Sequence, residues 1–246
     1  MPEEEKTIKD FEQLTGLLKK KEICKRTVVV WPEEDHTQEA ILQATHEGFI
    51  SPILVCSERT KKIFADREAL QAVTAENPEE ASRIAVKIIR EQKADIIMKG
   101  FVNTDVLLRA ILDKEHGILP RGAVLTHITV TKIPEYPKLL FFTDAAVIPY
   151  PTEEQRKAQI KYVIDFCHAF NIDCPKISLI HCSEKVDVKH FPYTDSYNKI
   201  KKETESGLFG KCIVDGPLDL KTSCSTEAMK IKNICSPING EADALI

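Results

Sequence analysis

The sequence predicts an α/β protein of two α/β/α domains with mainly parallel sheets and an interdomain cleft. Three observations predict it. Short apolar runs of strand length recur along the chain, helical segments with start signals separate most of them, and one stretch near the middle breaks the alternation. Strands buried on both faces read as continuous apolar runs, which is the form these take.

Thr27–Trp31 is the first run. A helix should follow it, opening near Asp35-x-x-Gln38 and stopped by Gly48. Ile53–Cys56 is the second strand. Asn77-Pro78-Glu79-Glu80 then combines an N-cap, a proline suited to the first helical position and a glutamate at the capping-box position. Asp95–Met98 is the third strand and runs straight into Lys99-Gly100.

The break lies between Gly117 and Pro137. Val124–Ile133 alternates apolar and polar residues and is flanked by Pro120, Pro134 and Pro137. That pattern suits an antiparallel or edge strand near a domain boundary. The domains are therefore expected at 1–122 and 123–246. Leu139–Phe142 is the next strand, and Thr152-x-x-Gln155 is a capping box opening a helix that should run to about Phe170. Ile177–Ile180, Cys212–Val214 and Asp243–Ile246 are the remaining strands.

Composition narrows the function. The chain is 43% hydrophobic and 29% charged with a net charge of −4, so it lacks the broad basic face that a nucleic-acid binder needs. Local cations can still hold small anions. The acidic start Met1–Lys6 has no signal-peptide pattern, and no apolar run approaches the roughly 20 residues of a membrane helix. A cytoplasmic protein without membrane association is expected. The cysteines Cys24, Cys56, Cys167, Cys174, Cys182, Cys212, Cys224 and Cys235 are scattered without a Cys-x-x-Cys pair. They read as free, mostly buried thiols and not as a zinc site.

The richest segment is Met98–Arg109. A cation (Lys99), a glycine-freed backbone (Gly100), a hydroxyl (Thr104) and an arginine (Arg109) follow a strand where a helix should begin. Ligands bind at that edge of open α/β sheets, and helix starts attract anions. The structural alternatives are an ion pair for Lys99, turn-making for Gly100, capping for Thr104 and a solvated helix face for Arg109. Thr143-Asp144 follows the strand Leu139–Phe142 and suits phosphate contact and ligand orientation or base chemistry, unless it is only a helix-start turn.

Asp215-Gly216-Pro217 should close another strand, and Ser236 with Asn239-Gly240 makes a turn. Gly117–Gly122 has P-loop glycine spacing, but Ala123 stands where the lysine is needed. It reads as a linker turn, with Arg121 a candidate phosphate contact. No Gly-x-Gly occurs, which removes the dinucleotide fingerprint. His127 and His181 belong to no ligand array and read as structural. The adjacency of His181 and Cys182 does not make a dyad, since successive strand residues face opposite ways.

Four segments in register carry a family resemblance: Met98–Arg109, Lys138–Ala146, Val214–Leu218 and Ser236–Asp243. With them the chain, from about Thr27 to Ile246, resembles the phosphate acetyltransferase and phosphate butyryltransferase family, the butyryl type more closely. The resemblance implies an isocitrate/isopropylmalate dehydrogenase-like fold and transfer of an acyl group between coenzyme A and inorganic phosphate. Its substrates would be acyl-CoA, phosphate and acyl phosphate, with coenzyme A a substrate and no tightly bound cofactor or metal. It also implies a homodimer.

Direct reaction of two bound substrates needs proton removal, carbonyl polarisation and neutralised phosphate charge. Lys99, Arg109 and Asp144 are the expected catalytic residues. Gly100, Thr104, Thr143, Arg121 and Ser236 are the expected substrate contacts. The metal- and NAD-dependent chemistry of dehydrogenases sharing that fold would need clustered aspartates, which the sequence does not offer.

Relatives are expected to continue past Ile246 into a segment carrying a Ser-Arg motif and an acidic residue, the family's catalytic arginine and general base. The 246-residue chain is accordingly expected to turn over poorly. The alternative function is a truncated, non-catalytic remnant that binds coenzyme A or phosphate.

Overall fold

The computed structural model describes residues 7–65 and 70–246. The acidic start Met1–Lys6 lies outside them. The described chain divides into two compact units, one of Thr15–Ala123 and one of Val124–Ile246 with the residues up to Leu14. Helix α1 (Phe11–Lys20) carries the point of division.

The unit Thr15–Ala123 holds β1 (Lys25–Val30), α2 (Asp35–His46), β2 (Ile50–Cys56), α3 (Glu58–Ile63), β3 (Gln71–Thr74), α4 (Pro78–Arg90), β4 (Ile96–Lys99) and α5 (Thr104–Ile111). Its sheet is wholly parallel, in the order β3-β2-β1-β4. Side-chain alternation along β1 explains the layering. Val28 and Val30 pack with Ala81, Ala85 and Ile88 of α4 and Leu107 of α5. Val29 points the other way, to Ile41 of α2 and to Phe64. Since β2 and β4 flank β1, the strand order reverses there, and the crevice outside their carboxyl ends is the place where such sheets bind ligands.

The other unit holds β5 (Thr129–Lys132), β6 (Leu139–Phe142), α6 (Glu153–Ala169), β7 (Lys176–Ile180), a short 3₁₀ turn Pro192–Thr194, α7 (Asp195–Glu205), β8 (Ile213–Leu218), α8 (Leu220–Cys224), α9 (Thr226–Ile231) and β9 (Ala244–Leu245). Its sheet runs β5-β6-β9-β7-β8, with β5 antiparallel and at the edge and all other pairs parallel. Leu140 faces a cluster with Ile238 and Leu245, whereas Phe141 turns to α6, edge-on to Phe166 and Phe170 at 5.7 and 5.1 Å between ring centres.

Helix signals written in side chains are obeyed closely. Asn77 caps α4 by accepting from the Glu80 amide, with Pro78 at the start. Thr152 and Gln155 form a reciprocal capping box on α6, whose C-cap is Phe170.

Other expectations need correction. Asp35 is the first residue of α2 and not its cap, because Glu34 takes the cap position without a side-chain bond. Thr104 likewise opens α5 while Asn103 caps it, accepting from the Asp105 amide. Of the edge strand expected over Val124–Ile133, only Thr129–Lys132 pairs, so His127 lies before it. All eight cysteines are free, but only Cys56 and Cys167 are buried, so most of these thiols are partly or fully exposed, contrary to expectation.

Candidate functional site

In the Val124–Ile246 unit, β6, β9 and β7 lie side by side and release their chains at one edge. A cavity of about 480 Å³ opens there, lined by Phe142 and Thr143 after β6, Ile180 after β7, and Leu245 and Ile246 at β9. Asp144, Ile148, Arg156 and Gln159 of α6, Tyr193, Tyr197 and Leu220 complete much of the wall. A small, largely apolar cavity with a few polar groups at the carboxyl ends of parallel strands is the expected form of a ligand site.

The polar groups are ordered by one carboxylate. Asp144 Oδ1 accepts the amides of Ala146 (2.9 Å) and Val147 (2.7 Å), and Oδ2 accepts the Thr126 hydroxyl (2.7 Å) and the His127 amide (3.0 Å). Burial pushes the Asp144 carboxyl upward, but these four donors outweigh it and hold the pKa at about 2. Thr143, 5% exposed, meets the same Thr126 hydroxyl at 3.0 Å, and Gln159 donates to Thr126 at 3.1 Å. Thr143-Asp144 is thus no helix-start turn. The next helix opens only at Glu153, and Asp144 instead ties the chain into a tight turn of its own.

Arg156 is the residue that reading the sequence missed. It is 5% exposed, its guanidinium carbon lies 4.9 Å from the centre of the Tyr197 ring, and its Nε has no hydrogen-bond partner. Burial lowers its pKa, the two tyrosines Tyr197 and Tyr193 oppose that, and no carboxylate is among the groups acting on it. Neither tyrosine is free to ionise readily: burial raises both, Tyr197 donates to the Ile180 carbonyl, and Tyr193 meets His181 Nδ1 at 3.0 Å. A signal was present. The buried residues of α6 are Arg156, Gln159, Ile160, Val163, Ile164 and Cys167, a continuous helical stripe whose first two members are polar.

In the Thr15–Ala123 unit, Lys99 ends β4 and is exposed, and its ammonium donates to the carbonyls of Val102 (2.9 Å) and Gly100 (3.3 Å), not to a carboxylate. Gly100 is demanded by space, since a Cβ there would sit 2.6 Å from the Val30 carbonyl oxygen and 2.7 Å from that of Trp31. Thr104 is exposed at the start of α5. Arg109 lies a turn and more further on, in a groove between α4 and α5 shared with Arg83, Lys87, Arg90 and His116. Arg121 is exposed in the loop after α5.

Two turns behave as backbone devices. Asp215 lies inside β8, paired with Ser178 and bridged to Lys201 at 2.9 Å, so it is not at a strand end. Ser236 accepts the Ile238 amide, and Gly240, at φ 68°, packs too tightly on Ser225 and Thr226 for any side chain. His181 and Cys182 do approach, the sulfur lying 3.6 and 3.9 Å from the two ring nitrogens.

Comparison with known proteins agrees with this architecture. The family model described as phosphate acetyl/butaryl transferase matches residues 69–246. A phosphate butyryltransferase of Clostridium acetobutylicum is 32% identical over 97% of this chain and 80% of its own length. A phosphate acetyltransferase of Thermotoga maritima is 31% identical over 90% of this chain and 76% of its own. Among solved structures, a branched-chain phosphotransacylase from Enterococcus faecalis superposes with a TM-score of 0.77 at 22% identity, covering 90% of this chain and 78% of that one. A phosphotransacetylase from Streptococcus pyogenes gives 0.74 at 18%, covering 96% and 82%. At those identities the structures speak for the fold.

Proposed function

The chain belongs to the phosphate acetyl/butyryl transferase family of acyltransferases, and from that premise we propose that it moves a short acyl group, butyryl or acetyl, between coenzyme A and inorganic phosphate. In that reaction a phosphate oxygen attacks the thioester carbonyl, the C–S bond breaks, and the sulfur leaves to become the thiol of coenzyme A. The observation that carries the reading is the cavity at the β6 edge, where apolar walls suited to a short acyl chain meet Thr143, Asp144 and a buried cation.

Asp144 is proposed to orient and not to take a proton. A carboxylate with a pKa of about 2, held by four donors, is too weak a base to strip a thiol but fixes the Thr126 and Thr143 hydroxyls. Lys99, Gly100 and Thr104 are proposed to meet anionic parts of coenzyme A, because they gather at the switch point of a parallel sheet. Arg109 is proposed to join them in that role, from a groove where Arg83, Lys87 and Arg90 stand beside Glu79, Glu91 and Asp113. Arg121 and Ser236 are proposed as lesser substrate contacts. Eight free thiols fit a reducing cytoplasm, and a two-fold homodimer is the commonest soluble assembly. Among the described residues no helix is long and apolar enough to cross a membrane.

The test is release of free thiol from butyryl-CoA and from acetyl-CoA, each with and without phosphate. Thiol release that requires phosphate and yields acyl phosphate is expected. Absence of phosphate-dependent release from either thioester would overturn the proposal.

A further inference from the structure

Two buried groups in the β6-edge cavity lack partners, and they are of opposite kind. Arg156 Nε is a donor without an acceptor, and Gln159 Oε1 is an acceptor without a donor. They stand three residues apart on α6, on the one face that is buried, and both line the cavity. A buried donor or acceptor left unpaired is costly, and native interiors pair nearly all of them.

No carboxylate is among the groups that act on Arg156. Asp144, the acidic side chain of the wall, has both oxygens taken by backbone amides and the Thr126 hydroxyl. Tyr193 and Tyr197 are neutral hydroxyls with partners of their own. The next residue shows what the same helix does with a cation that is only structural: Lys157 is bridged by Glu153 at 2.9 Å and Glu203 at 2.6 Å. Arg156 also lies in the first turn of α6, where the positive end of the helix disfavours a cation and favours an anion.

We propose that Arg156 and Gln159 together form a subsite for inorganic phosphate in its hydrogen-bearing form. A simple carboxylate or a sulfate offers acceptors to Arg156 but leaves Gln159 unpaired. Hydrogen phosphate offers both, acceptor oxygens for the guanidinium and an O–H for the amide oxygen. The diphosphate of coenzyme A carries no such proton at neutral pH and is the poorer match. The assignment rests on the acyl-transfer reading, and it deepens it by naming which residues take the phosphate.

Calorimetric titration of the full chain with inorganic phosphate, sulfate and coenzyme A at low ionic strength tests this without turnover. The wild type should bind phosphate more tightly than sulfate. Arg156→Met should weaken phosphate by about 10–100-fold, the scale of a lost charge-assisted hydrogen bond, while leaving coenzyme A unaffected. Gln159→Leu should erase the preference for phosphate over sulfate. Should Arg156→Met fail to fold, the Nε–H resonance of Arg156 in isotopically labelled wild type, assigned with Arg156→Lys, must move as phosphate is added.

Unchanged phosphate affinity in Arg156→Met overturns the subsite. So does a static Nε–H signal during phosphate binding, equal binding of sulfate and phosphate, or an Arg156 effect confined to coenzyme A. Phosphate-dependent thiol release with Arg156-independent phosphate binding would sink the subsite and leave the acyl-transfer reading standing. Arg156-dependent phosphate binding without acyl transfer would do the reverse.

Discussion

The carboxyl ends of β4 and β6 share an outward formula, an apolar strand released into a polar turn, yet they settle their polar groups in opposite ways. At β4 the conspicuous cation, Lys99, is exposed and already donates to the Gly100 and Val102 carbonyls. At β6 the conspicuous anion, Asp144, is saturated by four donors, and the group left wanting is an arginine a helix away. A strand-end position therefore marks the edge where parallel sheets gather ligand contacts, and burial without partners marks the group proposed to hold one. Lys99 can shed its carbonyls to water at small cost. The Nε of Arg156 is buried and has no partner.

Substitutions break the comparison in order of effect. Gly100→Ala should be the most damaging, because its Cβ would press on the Val30 and Trp31 carbonyls at 2.6 and 2.7 Å. A loss of about 3 kcal/mol is expected from such overpacking against backbone, measurable as a shifted denaturant midpoint. A midpoint within error of wild type would show that β1 and β4 part easily there.

Asp144→Ala removes the hub of the β6 turn and strands the Thr126 hydroxyl and three amides. Partial access of water should limit its effect to about 2 kcal/mol. The same denaturation series reads it, and a loss below that of an average surface substitution would mean the turn is held by packing alone.

The charge of Asp144 has a pH signature. Its folded pKa is depressed to about 2 from 3.8, so its contribution is fully present above the unfolded value and is lost as pH falls towards 2. Between pH 6 and pH 2 wild type should lose about 1–2 kcal/mol more than Asp144→Asn, a figure reduced from the full linkage value for solvent screening. Parallel acid slopes for the two proteins would contradict the hydrogen-bonded carboxylate.

Lys99→Gln completes the series with the smallest effect on stability, about 0.5 kcal/mol or less, since an exposed ammonium on two carbonyls adds little. In turnover it should raise KM for coenzyme A and leave KM for phosphate alone. A change confined to phosphate would transfer the anion role to β4.

The sequence disclosed what local chemistry writes into side chains. Leu139–Phe142 was legible to the residue because four large apolar residues can only be buried, and α6 because Thr152 and Gln155 cap it reciprocally. Short or sparsely apolar elements were not. Strand β3 (Gln71–Thr74) is mostly exposed, and α7 buries only Tyr197 and Ile200, so neither carries a period strong enough to read. The site was half legible. Thr143 and Asp144 were visible because they follow a strand. Asp215 was misplaced because β8 continues through Gly216, which the close approach of Leu179 requires, and Pro217. Arg156 was legible in principle, as an arginine opening a stripe continued by Ile160, Val163, Ile164 and Cys167, but it drew no notice beside the capping box that precedes it.

The most direct test of the claim that the β6 edge captures the phosphate is a crystal structure of the full chain soaked with arsenate, a tetrahedral, hydrogen-bearing analogue with its own anomalous signal. An arsenic peak within hydrogen-bonding reach of the Arg156 guanidinium and the Gln159 amide is the expected result. A peak only at the Lys99-Gly100-Thr104 turn, with the Arg156 cavity unoccupied, would contradict it.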